Sequence, residues 1–184
     1  MIGNLLKEQT KTLHDKVEEK LQSQKIMDKS YTLQDYHRLL KSNYHFLLEF
    51  EDAVFAHISA ETTEQIHARE RKKLPVIEKD LAAFQDLQSF SNKNISIKNE
   101  AEALGILYVM EGSTLGGNII AKNLAKNPSF KDISYNYFGF YGEKTGFFWK
   151  NFKEVLEQKA ENADAQDFLD GANRAYQFLI DHSN

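Results

Sequence analysis

The chain of 184 residues contains no cysteine. This absence excludes disulfide bonds, zinc sites built from thiolates, and enzymes that use a cysteine nucleophile. Proline is scarce, with two residues, and we find no stretch with the period-two alternation of a half-buried strand. Internal repeats and low-complexity linkers are also missing from the sequence. These absences favour an all-α fold in a single domain over residues 1–184.

No charge of one sign dominates, since 23 basic and 27 acidic residues give a net charge of −4. This balance offers no overall electrostatic footprint for nucleic acid or for an acidic membrane. No apolar run approaches the length of a bilayer span, and Lys7 and Glu8 interrupt the first segment before a signal-peptide core could form. We therefore expect a soluble cytoplasmic protein that binds neither nucleic acid nor a membrane.

Helical periodicity and capping patterns predict the main elements of the chain. The first two predicted helices are Asn4–Ser23 and about 32–57, the second with a capping box at Thr32 and Asp35. A third opens near Lys72, with Pro75 in its first turn or at a kink. A fourth runs from Asn99 to near Asn127 and Pro128, and two more follow after Thr145 and after Asp164. Residues Ser89–Lys98 form a polar connection. The aromatic-rich connection Ser129–Gly146 is too long for an idle turn, which predicts a pocket wall or a packed loop.

Four of the nine glycines fall within one apolar stretch, Leu104–Leu124, whose other residues favour a buried helix. Together Gly105, Gly112, Gly116 and Gly117 forgo about 3–4 kcal/mol of helix stability relative to alanine. Glycine is useful in a helix that must bend, or where another body lies flat against bare backbone. The last three glycines lie near one face, which would suit a broad planar ligand.

His14 has Glu18 four residues later and Lys7 seven residues earlier, so all three project from similar angles of the predicted first helix. An imidazole can ligate a metal through one nitrogen while a carboxylate holds the other N–H. Lys7 would lie about 10.5 Å away along the helix axis, far enough to meet an acidic group of a large ligand. The plainer interpretation is a solvated histidine and glutamate pair with a surface lysine, and the spacing alone favours it.

Aromatic residues are concentrated in one later stretch of the chain. Such a cluster is more typical of a hydrophobic core than of a cofactor site. Its members are Tyr135, Tyr137, Phe138, Phe140, Tyr141, Phe147, Phe148, Trp149 and Phe152.

Two separated motifs resemble the haem oxygenase family over most of the chain. The first is T-x-x-x-H-x-x-x-E, at Thr10, His14 and Glu18, and the second is E-G-S-x-L-G-G, at Glu111–Gly117. The segment RERKKLPVIEKDLAAF looks like the third-helix region of the family, and FYGEKTGFFWKNF resembles its bacterial branch often found beside phytochromes. The resemblance implies a haem held between a proximal first helix and a kinked distal helix.

By this resemblance His14 is the proximal iron ligand and Glu18 orients it. The distal backbone at Gly112, Gly116 and Gly117 would pass over the porphyrin, where a side chain would clash with haem or bound dioxygen.

The resemblance also implies roles for polar residues around the haem. Lys7 corresponds to a position that contacts a propionate, and Lys150 falls near a second basic position. Tyr44 would approach the distal side and bind ordered water. Ser113 occupies a position where many members carry an aspartate that organises proton delivery, although the bacterial branch also reads E-G-S. A hydroxyl can hold water but supplies no carboxylate.

The implied reaction uses haem as both cofactor and substrate. Its meso carbon is oxidised by O2 with electrons from an external reductase or ferredoxin, and the products are biliverdin, carbon monoxide and Fe2+. Two alternatives stay open at this point. A haem carrier or sensor would use the same pocket without ring cleavage, and a thiaminase-like relative would bind no haem, although the usual cysteine nucleophile of such proteins is missing here.

Overall fold

The computed structural model describes residues 1–84 and 95–183. Within these two ranges the protein consists of α-helices joined by turns and short 3-10 segments, with no strand. The helices are α1 (Ile2–Gln9), α2 (Lys11–Lys20), α3 (Gln24–Met27), α4 (Leu33–Ala56), α5 (Ala60–Gln65), α6 (Leu74–Ala82), α7 (Glu100–Leu124), α8 (Thr145–Ala160) and α9 (Ala165–Asp181). The all-α class predicted from the periodicity is confirmed.

Helices α7 and α9 form the centre of the fold and pack closely against each other. Two glycines allow this approach, since a Cβ atom at Gly105 would lie 2.1 Å from the carbonyl oxygen of Phe168, and one at Gly171 would lie 2.1 Å from that of Glu102. Helices α4 and α8 also pack against α7, while α1 contacts α8 and α9. Apolar side chains from these helices fill one continuous core.

The predicted helix caps agree with the structure. Thr32 accepts the amide N–H of Asp35 at 3.1 Å, and the Asp35 carboxylate accepts the Thr32 N–H at 3.0 Å, which completes the capping box of α4. Asn99 caps α7 by accepting the amide N–H of Glu102 at 3.0 Å. Pro75 lies in the first turn of α6. These caps form because their partners are within three residues along the chain.

The predicted first helix, Asn4–Ser23, is wrong in one respect, because the chain forms two helices that meet at Thr10. The buried Thr10 hydroxyl donates to the carbonyl oxygen of Leu6 at 2.7 Å. Hydroxyls that bond to the carbonyl four residues earlier compete with regular helical structure and bend helices. Lys7 and His14 therefore lie on different helices, so the distance predicted between them along one helix axis is wrong.

Helix α7 continues without interruption through its glycines and ends at Leu124, three residues before Asn127. Pro128 begins a short 3-10 turn. Residues 89–94 of the predicted polar connection lie outside the described residues. Within the described ranges, none of the helices combines the length and the apolar character needed to cross a membrane.

Candidate functional site

His14 lies on the outer surface of α2, a helix that has no buried residue. Its side chain is 51% exposed. The Nδ1 atom is 3.6 Å from a carboxylate oxygen of Asp15 and 3.9 Å from one of Glu18. Because both carboxylates lie near Nδ1, Nε2 is the nitrogen available for a ligand bond. The predicted juxtaposition of His14 and Glu18 is therefore present, and Asp15 adds a second acidic neighbour that the motif does not include.

These three side chains also form a small cluster of possible metal ligands. Their ligand atoms lie within 4.8 Å of one another, and all three residues are exposed. Exposed acidic groups commonly reach such spacing without an ion, so the cluster by itself does not identify what His14 binds.

A row of aromatic side chains connects His14 with the glycine segment of α7. The rings of His14 and Tyr176 of α9 meet edge to face, with centroids 6.1 Å apart. Tyr108 of α7 and Trp149 of α8 follow, with ring centroids 5.5 Å apart. A Cβ atom at Gly112 would lie 3.7 Å from the Trp149 ring. We call Tyr176, Tyr108 and Trp149 the aromatic row.

The two tyrosines of the aromatic row are electrostatically close to each other. Burial raises the pKa of Tyr176 to about 12, and the nearby Tyr108 phenol adds to this increase. Burial also raises the pKa of Tyr108. Both phenols therefore stay neutral near physiological pH. The row is an apolar wall that links α2 and α9 to α7 and α8.

The burial of α7 changes at its first distal glycine. Every residue of 101–111 is buried, whereas Gly112 is partly exposed and Gly116 is exposed. A Cβ atom at Gly116 would have no neighbouring atom within 4 Å. Leu115 and Ile119 on the same side of the helix are 40% and 57% exposed. The segment from Gly112 onward thus presents bare backbone and apolar side chains at the surface, which a flat apolar ligand could cover.

Gly117 differs from the other two motif glycines. It is buried, and a Cβ atom there would lie 2.9 Å from the carbonyl oxygen of Phe138. The close passage of the aromatic connection explains this glycine without a ligand. Its predicted position over a porphyrin therefore has no support from the fold.

The side chain of Ser113 is near a buried polar pair. Its hydroxyl donates to the carbonyl oxygen of Met110 at 2.8 Å. Tyr137 is buried, and its hydroxyl donates to Asn43 of α4 at 3.0 Å. Burial raises the pKa of Tyr137, and a side-chain hydrogen bond with Ser113 opposes this increase. Tyr137 and Asn43 thus connect α4 to the motif position that carries an aspartate in many family members.

Tyr44, which was predicted to approach the distal side, is buried on α4. Burial raises the pKa of its phenol, and the negative charge of Glu78 on α6 raises it further. The neighbouring residue Asn43, through Tyr137, is the α4 side chain that connects to Ser113.

The predicted propionate ligands are surface lysines. Lys7 is exposed in the last turn of α1. Lys150 is exposed on α8, with its ammonium 3.8 Å from Glu154. Lys153, which the motifs did not indicate, holds its ammonium 5.5 Å from the centre of the Trp149 ring. Lys153 is therefore the lysine that directly contacts the aromatic row.

A buried ionic cluster lies directly behind the glycine segment. Glu111 accepts hydrogen bonds from Arg71 and Lys73, and from the Tyr141 hydroxyl at 2.9 Å. Arg71 and Lys73 are completely buried, and Glu111 is 1% exposed. We refer to Arg71, Lys73, Glu111 and Tyr141 as the Glu111 cluster.

Comparison with known proteins identifies the family of the chain. A model of the family described as Heme oxygenase matches residues 2–183. The chain belongs to the haem oxygenase family. A curated protein named Heme oxygenase, from Xanthomonas campestris pv. campestris (strain 8004), is 33% identical over 108 residues. The match covers 58% of this chain and 64% of that relative. No significant match was found among solved structures.

The residues of the site fit the haem that this family name implies. His14 offers a half-exposed imidazole with carboxylates on its other nitrogen, and Gly116 offers backbone with open space above it. The rings of Tyr176, Tyr108 and Trp149 add aromatic surface near these two groups. Lys153 lies beside Trp149 and could pair with a carboxylate of a ligand.

Sequence reasoning missed the Glu111 cluster and the two tyrosines of the aromatic row. One signal was available, because Glu111 is a lone carboxylate within the apolar run LGILYVMEGS. A charged residue at a buried position requires a partner. Its partners were not identifiable, since Arg71 and Lys73 belong to the basic run RERKK, which is typical of a solvated surface.

Proposed function

We propose that this protein is a haem oxygenase. Its reaction would be the oxidative cleavage of haem at a meso carbon, with O2 and external electrons, to biliverdin, carbon monoxide and Fe2+. The observations that carry the proposal are the ring contact of His14 with Tyr176, the contact of Trp149 with Tyr108 and Gly112, and the open backbone at Gly116. Membership of the haem oxygenase family supports it.

On the proximal side His14 would bind the iron through Nε2. Asp15 and Glu18 place negative charge beside Nδ1, which leaves Nε2 as the nitrogen that faces a ligand. The exposed position of α2 means that the ring can meet a ligand without breaking core contacts.

On the distal side Gly112 and Gly116 would leave room for dioxygen beside the helix backbone. Ser113 supplies a hydroxyl that already bonds to Met110, so its oxygen can accept a hydrogen bond from ordered water. Lys7, Lys150 and Lys153 would attract the propionates as point charges. Tyr44 is buried on α4, and its approach to the distal side stays a prediction.

The chemistry of bond cleavage would come from bound iron protoporphyrin, once a separate reductase or ferredoxin supplies electrons. The protein's own contribution would be orientation of the ring.

A turnover assay tests this proposal. The purified chain is titrated with ferric haem, and a ferredoxin with its reductase is then added in air. We expect loss of the Soret band and formation of a bile pigment. A Soret spectrum that persists under these conditions would instead indicate a haem carrier or sensor.

Matched variants of α2 test the assigned ligand. His14→Ala should abolish turnover while far-UV circular dichroism stays unchanged, because the side chain is half exposed. Added imidazole should restore part of the haem spectrum. Glu18→Gln should lower turnover by about 10- to 100-fold, the range for residues that orient a metal ligand. The neighbouring exposed carboxylate of Glu19 provides the control, and Glu19→Gln should have wild-type activity. Full activity of His14→Ala would remove His14 from the site.

A further inference from the structure

The Glu111 cluster connects the glycine segment of α7 to a distant part of the chain. Glu111 immediately precedes Gly112, and its carboxylate accepts from Arg71 and Lys73, about 40 residues earlier. A buried carboxylate without such partners would be strongly destabilising. The Tyr141 hydroxyl completes its hydrogen bonding. The backbone just before Gly112 is therefore held by charge-assisted bonds rather than by apolar packing alone.

The Arg71 guanidinium also binds α8. Its Nη2 atom donates to the carbonyl oxygen of Phe148 at 3.0 Å and to the side-chain oxygen of Asn151 at 3.1 Å. These two residues flank Trp149 on its two sides along the chain. The planar Arg71 guanidinium thus binds Glu111, which precedes Gly112, and also Phe148 and Asn151, which lie on either side of Trp149 in the sequence.

The bonds of Arg71 to Glu111 and to α8 both act next to the contact between Gly112 and Trp149. A Cβ atom at Gly112 would lie 3.7 Å from the Trp149 ring, and that ring belongs to the aromatic row. A change in the separation of α7 and α8 at this contact would therefore change the distal end of the proposed site. A change of about 1 Å in such a separation is enough to weaken ligand positioning.

We propose that Arg71 and Glu111 are positioning residues, which set the separation of Gly112 from Trp149 and so the width of the haem site. This inference rests on the proposed function, because it assigns the two residues to the same site. Neither residue needs to touch the porphyrin. The alternative is that the buried pair stabilises the fold and has no particular effect on the site.

Arg71→Lys in the full chain is the decisive variant. Lysine keeps the positive charge next to Glu111 but lacks the fork that reaches Phe148 and Asn151 at the same time. Trp149 is the only tryptophan of the chain, so its fluorescence reports on this contact without any ligand. We expect a shifted Trp149 emission maximum, and binding of zinc protoporphyrin, a redox-inactive probe, weakened by about 10-fold.

Glu102→Gln is the matched control. Glu102 is a buried carboxylate on the same helix, and it pairs with Arg174 at 3.0 Å near the opposite end of α7. Both variants should lower the thermal unfolding midpoint, since each weakens a buried charge pair. Only Arg71→Lys should shift the Trp149 emission and weaken probe binding.

Asn151→Ala provides a second variant in case Arg71→Lys does not fold. It removes one bond from Arg71 to α8 and should shift the Trp149 emission in the same direction, by a smaller amount. Unchanged emission and probe affinity in the variants that fold would overturn the inference. An equal shift of the Trp149 emission and an equal loss of probe affinity in Glu102→Gln would also overturn it, because a general loss of stability would then explain both effects. If the wild type binds no porphyrin, the proposed function fails, while the ligand-free Trp149 emission still decides whether Arg71 positions this contact.

Discussion

At the scale of the residue, glycine has two distinct uses in α7. Gly105 and Gly117 lie where a backbone carbonyl of another segment passes, at 2.1 Å and 2.9 Å from the position of a Cβ atom. Packing therefore explains both. Gly116 has open space at the same position, and Gly112 meets only the Trp149 ring, at 3.7 Å or more. The fold itself does not need glycine at these two positions, so ligand binding is the better explanation for them.

Gly116→Leu separates these two uses. Leucine is the better helix former and its Cβ atom would have no neighbouring atom within 4 Å, so stability should rise by about 0.5–1 kcal/mol. The same side chain should fill the face that haem would occupy and abolish haem binding. Urea unfolding and a haem titration measure the two effects.

Gly117→Ala is the contrasting variant at the adjacent position. Its Cβ atom would overlap the Phe138 carbonyl, so the protein should lose about 1–3 kcal/mol of stability.

Tight haem binding by Gly116→Leu would contradict the position assigned to the distal face.

At the scale of the element, the break at Thr10 divides the predicted first helix into α1 and α2, whose main contacts differ. The Glu157 carboxylate of α8 accepts the amide N–H groups of Ile2 at 2.7 Å and Gly3 at 3.0 Å, so α1 begins on α8. An acidic group at a helix N-terminus is also favoured by the helix dipole. Helix α2 instead packs against α9. The division lets α2 present His14 beside Tyr176 while α1 stays anchored.

The capping box of α4 predicts a pH dependence of stability. Burial alone would raise the pKa of Asp35, but hydrogen bonds from the Thr32 amide and hydroxyl outweigh it, and nearby Lys25 and Arg38 add to the decrease. The native pKa is therefore below the ordinary value of 3.8. Just below that value the unfolded state binds more protons than the native state, so stability is lost as the pH falls through the native pKa.

Thr32→Ala tests this effect. Near neutral pH it should cost about 1 kcal/mol, the usual value for loss of an N-cap. The cost should shrink as the pH falls through the native pKa of Asp35, which is below 3.8, because protonation of the carboxylate weakens its acceptor bonds. Urea unfolding at neutral and acid pH measures the difference. Asp35→Asn should remove this part of the pH dependence, and an equal cost of Thr32→Ala at every pH would contradict the assignment.

At the scale of the whole molecule, stability is unevenly distributed around the site. Helix α7 is buried continuously over 101–111 and packs against α9, whereas α2 has no buried residue. Segments with few buried contacts open at low free energy. The proposed proximal side of the site therefore lies on a weakly held element, and the distal side lies on the central one.

Hydrogen exchange should show this difference. In the ligand-free protein the amides of α2 should exchange much faster than those of residues 101–111. Ferric haem should slow exchange in α2 most, because a bond from His14 to iron stabilises only the folded helix. Mass spectrometry with and without haem measures both. Haem that leaves α2 exchange unchanged, or α2 amides already as protected as α7, would contradict this view of the site.

Sequence patterns alone predict the helical class, the caps at Thr32 and Asn99, and the motif that brings Glu18 beside His14. Each of these depends on residues within a few positions along the chain, so periodicity and residue type are sufficient to predict them. The glycine pattern also indicated that α7 carries more glycine than a buried helix normally does. Spacing alone could not show which glycines serve packing, since that depends on which segments pass nearby.

Contacts between residues that are distant in sequence follow from the packing of the helices. Glu111 meets Arg71, and Tyr108 meets Trp149, because the helix packing brings these segments together. The physical reason is the same in each case: a buried charge, an aromatic face or a backbone crossing is stabilised by contacts whose geometry depends on the path of the whole chain.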